Sequence, residues 1–165
     1  MEQSLIETHK LKVGAVELEM RCLGSSNTGA VLLLVHGALE DGRVFHPRND
    51  QGLAGTLAAE GHTAYVADLR GHGQSAPALL ESSAEVTQSA LINQDLPALL
   101  EFVYARHPGQ PVFCVGHGWG GVWLVSALIR RPDLLTRIRG LLHFGVRRRQ
   151  LHGSRATRLT SALFW

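Results

Sequence analysis

Between an apolar, strand-like run at Val112–Val115 and a helix-like run at Trp119–Arg130 lies the segment Gly116-His117-Gly118-Trp119-Gly120-Gly121. A strand that gives way to a helix over so few residues must turn sharply. Glycine is the residue that takes positive φ without a steric penalty. Residues 112–130 are therefore expected to form a strand, a tight glycine-bearing turn and a helix. Two apolar runs upstream stop in a comparable way. Ala30–Val35 ends at His36-Gly37-Ala38, and Thr63–Ala67 ends at Asp68 and the loop Leu69-Arg70-Gly71-His72-Gly73-Gln74-Ser75. Continuous apolar runs of this length suit strands buried on both faces.

Other segments complete the alternation. His9–Val13 and Val16–Cys22 alternate around Gly14-Ala15, a hairpin signal. Gln51–Glu60 has helical spacing and stops before Gly61, as helices capped by glycine do. Leu91–Arg106 is the longest helical stretch. Pro97 lacks a backbone donor, which sets the expected start near Gln94, with Asn93 or Asp95 as cap. Residues 76–86 read as loop, and Gly140–Phe144 as a further strand. Strands alternating with helices predict an α/β fold, a mostly parallel twisted sheet with helices on both faces. The expected organisation is a core over residues 1–145, then an Arg-rich segment over 146–165.

Open α/β sheets bind ligands beyond the carboxyl ends of their strands, and the three glycine-bearing segments fall there. In this order and spacing they resemble the α/β-hydrolase superfamily over about residues 9–145, most of all its lid-bearing esterase, lipase and acyl-hydrolase members. The resemblance implies hydrolysis of an ester or similar acyl substrate. It aligns Gly118 with the nucleophile of a G-x-S-x-G elbow, where serine is expected. His36, Gly37, Gly116, His117 and Gly120 frame the elbow and pocket. The backbone N–H groups of Ala38 and Trp119 would form the oxyanion hole. Asp68, Arg70, Gly71, His72 and Ser75 correspond to a loop that braces the site.

Glycine offers no nucleophile. In the superfamily the acid and the histidine follow the nucleophile in the chain. After Gly118 the only carboxylate is Asp133, expected on a loop away from the site. His143 lies within a strand, and His152 falls where a lid would begin. The chain is thus expected to represent the N-terminal half of the fold, truncated before the late strands and inactive as a catalyst. A small acyl or ester-like ligand is the expected partner. Strand 140–144, left as an apolar edge, is expected to self-associate.

A rival reading takes Gly116, Gly118 and Gly121 as a G-x-G-x-x-G nucleotide fingerprint. The acidic residue that should end the next strand is missing, although Arg147 could meet a 2′-phosphate. A non-catalytic binding or scaffold protein is the other alternative. His36 and His117 are read as shaping their motifs rather than carrying protons. Trp119, Trp123 and Phe113 are expected to pack around the elbow helix.

Charge is unevenly spread. Residues 1–133 hold 14 acidic and 9 Lys/Arg side chains, whereas residues 134–165 hold 7 arginines and no acid. No aromatic platform or nucleic-acid motif accompanies those arginines, so nucleic acid is not an expected partner, and Arg147-Arg148-Arg149 reads as a solvated start to a lid. The nine histidines lack metal-ligand spacing, and neither metal nor cofactor is expected. No apolar run approaches the length of a membrane span, and the first residues lack a signal-peptide pattern. Cys22 and Cys114, both in strand-like runs, are expected to be core thiols. A cytoplasmic setting follows from these features.

Overall fold

The computed structural model describes residues 6–25, 27–47, 52–75 and 86–145. Strands β1 (Ile6–Val13) and β2 (Val16–Leu23) form the hairpin, turning at Gly14, whose φ is +62°. The alternation in β2 buries Val16, Leu18, Met20 and Cys22 and turns Glu17 outward. Strands β3 (Val31–Val35) and β4 (Thr63–Asp68) are buried at every position, and β5 (Val112–His117) and β6 (Ile138–Phe144) complete a six-stranded sheet. Its order is β1-β2-β4-β3-β5-β6. β4, β3, β5 and β6 run parallel, while β2 joins β4 antiparallel.

Helices cover both faces. Helix α1 (Leu53–Ala59) packs over Leu32, Leu34, Ala64 and Val66. Leu33, Val35, Tyr65 and Cys114 point the other way, beneath the long helix α2 (88–106) and helix α3 (Trp119–Arg130). Successive strand residues face opposite sides of a sheet. A strand covered on both faces must therefore be apolar throughout, and this is why β3 reads as an unbroken run.

Four details correct the sequence reading. Helix α2 starts at Gln88, not near Gln94; it comprises Gln88–Ala90, a π-helical turn Leu91–Asp95, and Leu96–Arg106. Thr87 caps it, its hydroxyl accepting from the Ala90 N–H at 3.1 Å. The π turn, with Leu96 N–H donating to the Leu91 carbonyl, carries the chain past Pro97. Proline is tolerated there because it falls in the first turn of the α-helical stretch that follows. Asp95 is accordingly no cap but a fully buried residue inside the helix. Asp133 lies in a one-turn helix α4 (Pro132–Leu135) rather than a loop, since Pro132 presets the first helical φ. Phe113 does not join the tryptophans. It packs on the α1 face, against Gly140, whose missing Cβ would lie 2.9 Å from the ring. Trp119 and Trp123 do pair on α3, their rings 6.4 Å apart and 30° from parallel.

Cys22 and Cys114 are buried free thiols on strands separated by β4 and β3, about 14 Å at ordinary strand spacing and too far to bridge. Burial pushes the Cys114 thiol up to about 12. Among the described residues no helix is long and apolar enough to cross a membrane. β6 is the edge of the described sheet, and Leu142 and Phe144 there are 45% and 47% exposed. Arg147, Arg148, Arg149 and His152, like most of the loop expected at 76–86, lie outside the described residues.

Candidate functional site

β3 lies between β4 and β5 in the sheet, so the three glycine-bearing segments emerge side by side from one sheet end. The parallel register pairs Val35 with Ala67 on one side and with Gly116 on the other.

Gly118 sits at the apex of the turn with φ +51° and ψ −124°. This is left-handed backbone that costs an ordinary side chain about 1–3 kcal/mol. Beyond its chain neighbours, the nearest atom to a Cβ built there is the Gly37 Cα, at 3.9 Å. Space for a side chain is present. Gly116 and Gly120 are different. A Cβ on Gly116 would lie 2.5 Å from the Gly121 nitrogen, and one on Gly120 would lie 2.5 Å from the Val35 carbonyl oxygen. These two glycines let α3 press its first turn against the ends of β5 and β3. The Gly118 N–H donates to the Phe144 carbonyl at 2.8 Å and so ties the turn to β6. Trp119 follows as the first residue of α3, where backbone N–H groups lack helical partners.

The loop after β3 is fixed from several directions. His36 is fully buried; its Nε2 accepts from the Leu69 N–H at 3.1 Å, so Nδ1 carries the proton and donates to the Gly37 carbonyl at 2.8 Å. Burial lowers its pKa, and both nitrogens are occupied, in keeping with a shaping role. His72 spans from the Arg70 carbonyl oxygen, 2.9 Å from Nδ1, to the Ala38 carbonyl oxygen, 2.9 Å from Nε2.

The remaining loop residues are structural in their contacts. Asp68 accepts from the Gly42 N–H at 2.6 Å and from the Gln74 N–H at 2.8 Å. Ser75 Oγ donates to the Asp68 carbonyl and accepts from the Glu19 N–H, which locks the loop to β2. Arg70 reaches into the core and grips Asp95 through Nε at 2.9–3.0 Å and Nη2 at 2.5 Å. Both side chains are almost wholly buried, at 5% and 0% exposure. Gly71 takes φ +78° where this loop turns.

Glu40 was not among the sequence-derived candidates. One of its oxygens, Oε2, accepts from the Gly37 N–H at 2.8 Å and from His117 Nδ1 at 2.7 Å. The structure thus forms a histidine–carboxylate pair beside the turn. The ring's other nitrogen, Nε2, lies 3.6 Å from where a Gly145 Cβ would stand, toward the end of β6. The one hint in the sequence was a carboxylate four residues after His36. Asp133, by contrast, is exposed and paired with Arg131, at the far end of a 12-residue helix, about 18 Å long.

Burial raises the Glu40 pKa, but the bonds from His117 and the Gly37 N–H outweigh it. The net shift is downward from the ordinary value of 4.5. A carboxylate depressed in the folded state stabilises the fold above the unfolded-state pKa, and that contribution is lost as pH falls through the folded value. Urea unfolding at a series of pH values from 6 downward is expected to show a smaller acid-side loss in Glu40→Gln than in the wild type. Identical slopes would contradict this.

The geometry can be set against known proteins. Residues 26–145 match the family model described as serine aminopeptidase, S33. The thioesterase domain from the curacin biosynthetic pathway superposes with a TM-score of 0.61 at 27% identity, covering 96% of this chain and 51% of that one. An epoxide hydrolase from Vigna radiata gives 0.61 at 24%, covering 96% and 46%. A thermostable carboxyl esterase from Bacillus coagulans in complex with glycerol gives 0.66 at 15%, covering 84% and 43%. The chain spans about half the length of these solved structures. No curated protein matches it. The turn at Gly118, the neighbouring loop at Gly37 and the matched span together place this chain in the serine aminopeptidase S33 family of the α/β-hydrolase superfamily.

Proposed function

We propose that this chain keeps the carbonyl-recognising frame of an acyl hydrolase and binds a small ester-like or acyl ligand without cleaving it. The observation that carries this reading is Gly118, a residue with no reactive atom at the apex of an open turn. Covalent acyl transfer needs a nucleophile, a base within hydrogen-bond reach and donors for the oxyanion. Here the donors are the Ala38 and Trp119 N–H groups. The nucleophile is missing, and His117 has Nδ1 held by Glu40 and Nε2 lying toward Gly145. Within the superfamily, this reading relates the chain most to the lid-bearing esterases. The apolar edge at β6 supports self-association through this strand.

The reading is tested with a fluorophosphonate probe and intact-mass spectrometry. Wild-type protein is expected to keep its unmodified mass, and Gly118→Ser is expected to label no faster than an ordinary surface serine, because a serine without its histidine is poorly activated. Stoichiometric labelling of the wild type would overturn the proposal. Rapid labelling of Gly118→Ser that disappears in Gly118→Ser/His117→Gln would show that His117 acts as base.

A further inference from the structure

The two oxyanion donors sit on separate elements, Ala38 on the loop after β3 and Trp119 at the start of α3. The β3–β5 ladder brings these elements together but ends at Val35 and Gly116. Above that point each half is anchored to a different neighbour. The Ala38 loop is held to the β4 loop through His36 and His72, whereas the elbow is held to β6 through Gly118 N–H and Phe144.

A side-chain hydrogen bond crosses from one half to the other at Oε2 of Glu40, which accepts from His117 of the elbow and, within its own loop, from the Gly37 N–H. That oxygen accepts from the Gly37 N–H, one peptide before Ala38, and from His117, two residues before Trp119. Glu40 is itself folded back onto this loop, its N–H donating to the Gly37 carbonyl at 3.3 Å.

We propose that Glu40 is a positioning residue: with His117 it sets the separation between the Ala38 and Trp119 N–H groups and so determines how well the frame receives a carbonyl oxygen. The proposal deepens the ligand-binding reading above and rests on it. The chemistry requires an acceptor that can take two donors at once, which a carbonyl or carboxylate oxygen does with its two lone pairs. Glutamine meets that requirement at position 40 and alanine does not. A role confined to general stability would not single out these two amides.

The test is amide NMR on the full chain, first without ligand and then titrated with methyl butyrate. Glu40→Ala is expected to move the Ala38 and Trp119 amide signals together and to change the His117 imidazole resonance. It should also weaken the ester on the order of tenfold, the worth of one lost charge-assisted bond. Glu40→Gln is expected to restore both amide signals and to bind within about twofold of wild type. Should Glu40→Ala fail to fold, His117→Phe cuts the same tie from the other side and is expected to shift the same pair of amides. Ala38 and Trp119 signals that stay put in these variants would overturn the proposal, as would a folded Glu40→Gln that behaves like Glu40→Ala. If wild type itself shows no saturable response to the ester, the ligand-binding reading fails, while the ligand-free spectra still decide whether Glu40 couples the two donors.

Discussion

Asp95→Ala is expected to destabilise the fold by about 3–5 kcal/mol, because it leaves the Arg70 guanidinium buried without its counter-ion. Arg70 is 5% exposed and Asp95 fully buried; two guanidinium nitrogens grip the carboxylate, and Nη2 adds the Gln94 amide oxygen at 2.9 Å. Removing one partner forfeits these bonds and strands a charge that water cannot reach. Replacing both, as in Arg70→Met/Asp95→Leu, is expected to cost much less than the single change, since a buried ion pair against well-packed apolar side chains of similar volume is often near neutral. Urea unfolding of the three variants measures both quantities. A single-variant loss below about 1 kcal/mol would show that the arginine finds another partner or reaches solvent.

The second large effect separates three glycines that look alike in the sequence. Gly120→Ala and Gly116→Ala are each expected to cost at least about 3 kcal/mol, the upper end of overpacking penalties. The added methyl would press on backbone atoms, the Val35 carbonyl oxygen and the Gly121 nitrogen, at 2.5 Å. Backbone cannot turn aside as a side chain can, so α3 must lift from the sheet. Gly118→Ala meets no such obstacle, with 3.9 Å to the Gly37 Cα. It pays only for the positive φ, about 1–3 kcal/mol. Thermal and urea unfolding should therefore rank Gly118→Ala well above the other two in stability. An inverted order would mean that the strand and helix are not in close contact.

The parallel core was legible because β3, β4 and β5 are covered on both faces along most of their length, which leaves runs of apolar residues in each. The turn was legible because glycines recur at the tight approaches. The start of α2 was not, because a π turn accommodates Pro97 in a way that α-helical periodicity does not encode. Nor was Phe113, since the face a short strand residue takes depends on register with its neighbours. The two charged contacts that shape the site escaped for a related reason. Arg70 meets Asp95 across 25 residues and His117 meets Glu40 across 77, and partners of that kind are chosen by the fold rather than by spacing along the chain. What could be read was the backbone path of the two segments His36-Gly37-Ala38 and Gly116 to Gly120, at one end of the sheet. What could not was how these two segments are joined.

Steady-state hydrolysis of 4-nitrophenyl butyrate by the purified 165-residue chain tests the central claim most directly. Release of nitrophenolate at the rate of buffer, with no burst, is the predicted result. Sustained cleavage over many turnovers, abolished by a substitution within this chain, would contradict it and mean that a bond-breaking group acts beside an elbow that carries none of its own.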